Sequence, residues 1–118
     1  MVDSAGINDE YYTDERCHIL ELLNSADFSA ASIARARVEP GVTTKQHQLT
    51  DTTERYIIMA GSGTAVVEGM QNKNVGPGDV VVIPPGVTQS IINTGQSDLV
   101  FMCICTPRFE WDNYHSLE

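Results

Sequence analysis

The chain is short of positive charge: 7 Lys and Arg stand against 16 Asp and Glu, for a formal net charge of −9. A nucleic-acid partner needs clustered cations to displace the counterions of a phosphate backbone, so none is expected. Long apolar runs are also missing, and nothing approaches the ~18 residues of a membrane-spanning helix. The opening stretch MVDSAGINDEYYTDER has neither the basic start nor the apolar centre of a signal peptide, so the expectation is a cytoplasmic protein with no membrane partner. Cysteine is scarce and odd in number, 3 residues, which argues against a disulfide framework. Cys103 and Cys105 share one face of the run FMCIC, where a bond between them would be strained; they read as buried small hydrophobes, with a thiolate role the sharper alternative. The single tryptophan, Trp111, lies near the end with no cysteine pair around it, which disfavours an immunoglobulin-type sandwich.

Extended helical periodicity is absent too. In its place are short alternating or apolar runs at 17–24, 32–39, 44–49, 54–60, 63–68, 72–75, 79–84, 88–93 and 98–105, separated by breaks such as Glu39-Pro40-Gly41 and Pro84-Pro85-Gly86. A chain of 118 residues with strands this frequent predicts one all-β domain, either a double-sheet jelly roll or a closed barrel. We expect a polar arm over 1–16, the barrel over 17–106, and a tail over 107–118 that docks on the barrel or on a partner subunit. The run DLVFMCIC is apolar on both faces, so something outside the barrel must cover one of them; a second copy, giving a homodimer, is the simplest cover.

Strand parity locates the chemistry. His47 and Leu49 share a face, as do Glu54, Tyr56 and Ile58 on the next run, and pairing through the short TDTT connection would set His47 opposite Glu54. Arg35 and Arg37 share a face with Ile33, while Ala34, Ala36 and Val38 take the other. Parity alone leaves two arrangements open. The arginines either look into the cavity, where they could neutralise Glu54 or grip an anionic group, or look outward as surface or interface charges.

Gly41, His47, Leu49, Glu54 and Gly61, followed by Gly78, Pro84, Gly86, Gln89 and Asn93, resemble the two motifs of the cupin superfamily in every spacing. The resemblance, which spans roughly residues 30 to 105, implies a double-stranded β-helix, or jelly-roll barrel. Its mouth would hold a divalent metal on three histidines and one glutamate, and such domains commonly dimerise. Carried over position by position, His47, Glu54 and Gln89 would be metal ligands, and Leu49 stands where a second histidine would be. An amide oxygen in place of an imidazole favours zinc, manganese or nickel over iron.

Two functions follow. One is a weakly metal-binding enzyme of isomerase, lyase or oxygenase type acting on a small polar metabolite, such as a sugar derivative or keto acid. Glu54 and Tyr56 would be its catalytic candidates, and Arg35, Arg37 and Tyr56 its substrate-binding candidates. The other is a non-catalytic small-molecule-binding barrel with a degenerate metal site. An inward carboxylate must in either case be metal-bound, paired or protonated. For Tyr56 a core role with a satisfied hydroxyl is the commoner one. His18 and His115 read as surface residues, and Asn93 as a turn-closing side chain.

Overall fold

Apolar residues at alternate positions give each strand one face that must leave water, and two sheets closing on each other satisfy all of them at once. The computed structural model describes residues 2–4, 6 and 9–118. Its strands are β1 (Tyr11–Tyr12), β2 (His18–Leu23), β3 (Ser32–Val38), β4 (His47–Leu49), β5 (Thr53–Ala60), β6 (Gly63–Val67), β7 (Lys73–Val75), β8 (Val80–Ile83), β9 (Gln89–Asn93), β10 (Leu99–Thr106) and β11 (Tyr114–Ser116). One sheet has the order β1-β2-β3-β10-β5-β8 and the other β11-β4-β9-β6-β7. This is the all-β, double-stranded β-helix architecture expected from the motifs. No helix among the described residues is long and apolar enough to cross a membrane.

Val38, Ile58, Ile83, Ile91, Leu99 and Phe101 form the centre of the core, each 2% exposed or less. Full burial of a side chain of this size contributes about 1.5–3 kcal/mol. Gly61 shows how tightly the chain turns at the edge of this core. Its φ is +84°, and a Cβ there would lie 2.6 Å from the Asp98 carbonyl oxygen, so only glycine fits. Asn93 closes the facing turn: its Oδ1 accepts from Gly95 N at 2.9 Å, and its Nδ2 donates to the carbonyls of Val38 and Ser97.

The strand neighbours differ from expectation in one respect that shapes the site. β4 and β5 do not pair; β4 lies against β9 and β11, and β5 against β10 and β8. The short connection between them is a crossover from one sheet to the other, with Asp51 at φ 65°. His47 therefore pairs with Gln89, and Glu54 approaches from the opposite sheet. The two terminal strands carry too few residues for an alternating signature and form at sheet edges, β1 on β2 and β11 on β4.

The alternative left open for the arginines is also decided. Ala36 and Val38 are buried in the core, which turns Arg35 and Arg37 to the outer face. There Glu10 accepts from Arg37 at 2.7 Å and from Arg35 at 3.1 Å, while Asp98 accepts from Arg37 at 3.0 Å. These bonds, led by that from Arg37, hold the Glu10 carboxyl down at about 2. Neither arginine reaches Glu54, so an anion grip inside the cavity is not what they form. On the same outer face Val80 and Val82 are 56% and 51% exposed, beside half-buried Ile57, Met102 and Ile104.

Candidate functional site

Four expected residues meet between the sheets. His47 and Gln89 are direct cross-strand partners, and Glu54 and Tyr56 descend from β5 opposite them, all four buried. Gln89 Nε2 donates to Glu54 Oε1 at 2.8 Å, and the Tyr56 hydroxyl donates to Gln89 Oε1. The Cys105 thiol lies 3.7 Å from Glu54 Oε2 as a weak donor. Burial pushes the Glu54 carboxyl up, opposed by the charge of His47 and the Gln89 hydrogen bond. Burial also pushes the Tyr56 hydroxyl well above its usual range, so it acts as a neutral donor.

A further carboxylate comes from a segment with no periodic signal. The stretch between β1 and β2 folds into a tight turn, with Arg16 N bonded to the Thr13 carbonyl and Arg16 at φ 68°. That geometry sends Arg16 outward, to the Thr43 carbonyl and Glu118, and Glu15 inward. Glu15 Oε2 stands 3.4 Å from His47 Nδ1, and burial raises its carboxyl to about 7 against the opposing charge of Lys45. His47 Nδ1 also lies 2.8 Å from the Lys45 carbonyl, which can only accept; the ring proton is assigned to Nδ1, and Nε2 is the basic nitrogen of the neutral ring. Tyr114 of β11 stacks on the imidazole at 5.1 Å and 26°, holding its plane. Nothing in the motif spacing could have named Glu15 or Tyr114, because both reach the site from outside the two motifs.

These groups border two cavities of about 60 and 40 Å³, which share Glu15, Ile19, Glu54, Cys103 and Phe109 and so act as two lobes of one space. Both Cys103 and Cys105 border the larger lobe, and their thiols are pushed up, burial first and the Glu54 charge second. That environment disfavours thiolates. The room suits a few heavy atoms, well short of the 300–1,000 Å³ typical of a pocket that engulfs a metabolite.

The metal set implied by the motifs can be tested against these bonds. Gln89 Oε1 is engaged by Tyr56, Glu54 has Gln89 on one oxygen and Cys105 on the other, and Leu49, 3% exposed, fills the second histidine's position. Only the His47 ring keeps a nitrogen to offer, and one imidazole does not make a divalent-metal site. Among the described residues no group of three or more His, Cys, Asp and Glu is placed to hold an ion. The residues present do not fit zinc, manganese, nickel or iron.

Comparisons with known proteins agree with the fold. The cupin domain family model matches residues 34–105. The uncharacterized protein MJ1618 of Methanocaldococcus jannaschii is 29% identical over 110 residues, covering 92% of this chain and 87% of its own. A protein of Thermotoga maritima described as a predicted oxalate decarboxylase superposes with a TM-score of 0.79 at 24% identity, over 91% of this chain and 99% of that one. Pac13, a nucleoside dehydratase of Streptomyces, gives 0.79 at 12% identity, over 98% and 90%. KdgF from Halomonas gives 0.78 at 14%, over 92% and 96%. With both motif spacings, the two-sheet topology and a family match across most of the barrel, this chain belongs to the cupin family.

Proposed function

We propose that this chain is a cupin enzyme that moves protons on a small polar molecule with Glu15, His47 and Glu54, and does so without a resident metal. The observation that supports this best is Glu15 beside His47 at a cavity that also holds Glu54. A carboxyl near 7 can give or take a proton at neutral pH, which is what a general acid or base requires. In this reading His47 Nε2 removes a proton, Glu54 serves as the buried acid, and Glu15 restores the protonation state between turnovers. Tyr56 and Gln89 are positioning residues that orient the Glu54 carboxyl. Isomerisation and elimination both need a proton taken at one atom and delivered at another, and the dehydratase sharing this fold makes a lyase-type elimination the first chemistry to test. Because the cavity is small, only the reacting end of the substrate enters it.

A second reading is favoured by Leu49, whose apolar side chain beside His47 makes the pocket drier: a non-catalytic barrel that holds a small ligand. Deuterium wash-in separates the two. Small polar metabolites are incubated with the protein in D2O and followed by NMR; the enzyme reading requires exchange at carbon that drops at least 100-fold in His47→Gln and Glu15→Gln. Binding with no wash-in leaves the second reading. Metal near stoichiometry in protein purified without chelator, lost in His47→Ala, would overturn the metal-free assignment.

We further propose a homodimer through the outer face that carries Val80 and Val82, in the reducing cytoplasm that suits three free thiols.

A further inference from the structure

We propose that the cavity selects a small organic cation, an alkylammonium head group, over a neutral or anionic ligand of the same shape. The inference rests on the reading of this cavity as a ligand site. Glu15, Glu21 and Glu54 all border the larger lobe, and no Arg or Lys among the described residues borders either lobe. Glu54 is only 8% exposed, and both of its hydrogen-bond partners are neutral. Among the described residues the one ion-pair partner of Glu15 is the His47 ring, and Glu21 has none. The nearest cations are spent or peripheral. Lys45 acts on Glu15 from outside the lining. Arg108, in the adjoining hollow beyond Trp111, is committed to Asn24 Oδ1 at 2.9 Å and Glu110 Oε1 at 3.0 Å.

The other wall of the lobe is aromatic. Tyr11, Phe109 and Trp111 border it, with Phe109 and Trp111 edge to face at 5.0 Å and 81°. Tyr11 and Trp111 are 42% and 55% exposed, so they stand at the mouth. Aromatic faces attract cations through the ring quadrupole, and the carboxylates attract them by charge; both act in the same direction, and both repel an anion.

The protein supplies its own reporter, because Trp111 is its only tryptophan. Its emission is titrated in the full chain at pH 8 and constant ionic strength with tetramethylammonium, tert-butanol and pivalate, which share a shape and differ in charge. The expected result is a saturable change with tetramethylammonium at a concentration at least tenfold below any change with tert-butanol, and none with pivalate. Glu21→Gln weakens the cation response threefold or more. If tert-butanol or pivalate saturates as readily as the cation, charge selection is wrong while the cavity remains a ligand site. If no probe perturbs Trp111, cation selection at this lobe is overturned, while the enzyme reading stands or falls on deuterium wash-in. A response to the cation that Glu21→Gln leaves unchanged also overturns the proposal.

Discussion

Gln89 holds Glu54 by an N–H···O bond of 2.8 Å, so the residue at the third histidine's position restrains the carboxylate instead of sharing a metal with it. The Tyr56 hydroxyl occupies the amide's other end and fixes its orientation. The side chains at the ligand positions are thereby tied together by hydrogen bonds to one another.

If this is the reason the site does not fit a metal, restoring the missing imidazoles should restore one. Leu49→His with Gln89→His places three histidines and Glu54 around one point, since residues 47 and 49 share a face of β4. Titration of the double variant with zinc or nickel is expected to give micromolar or tighter binding with one ion per chain, against none for the parent. Equal binding by parent and variant would remove the argument.

Glu15 predicts a pH-dependent stability. Its folded carboxyl titrates at about 7 against an ordinary 4.5, so the folded state holds the proton more tightly. For a group raised in this way the stabilisation is fully present below about pH 4.5 and is lost as pH rises through 7. The span corresponds to on the order of 3 kcal/mol at most. Glu15→Gln should match the parent in chemical denaturation at pH 4 and exceed its stability at pH 8; a difference independent of pH would contradict the burial argument.

Tyr56→Phe removes the donor to Gln89 Oε1 and leaves a buried acceptor unpaired. The expected loss is about 1–3 kcal/mol in urea denaturation. Proton exchange catalysed by the site should fall with it, because Gln89 then no longer holds Glu54 in one orientation. Unchanged stability would mean that water or another donor replaces the hydroxyl.

The outer face of the six-stranded sheet gives the fourth test. Val80→Lys with Val82→Lys puts two charges on its edge strand β8, where Val80 pairs with Ile57 and Val82 with Arg55. Light scattering after size exclusion should read a dimer for the parent and a monomer for the variant, with the fold retained by circular dichroism. A monomeric parent ends the proposal of a homodimer through this face.

Much of the barrel was legible along the chain. The spacing from Gly41 through Gly61, and from Gly78 through Asn93, set the turns, and parity gave the shared face of His47 and Leu49 and that of Glu54 and Tyr56. Legibility ended at sheet boundaries. The TDTT segment reads as a hairpin connection, yet Asp51 carries the chain across to the other sheet. Arg35 and Arg37 had a face but no direction until Ala36 and Val38 entered the core and Glu10 paired with both guanidinium groups. Glu15 had neither, because a tight turn in a polar segment carries no periodicity.

The amino-acid order alone determined which side chains share a strand face and which identities stand at the ligand positions, including the Leu49 and Gln89 that depart from the motif. These are local properties, fixed by the two-residue repeat of an extended backbone. Tertiary structure decided which strands became neighbours, and with it that His47 meets Glu15, that Gln89 meets Glu54, and that both arginines stay outside. Antiparallel pairings of short strands differ little in their own energy, so the choice among them belongs to the closing of the whole core.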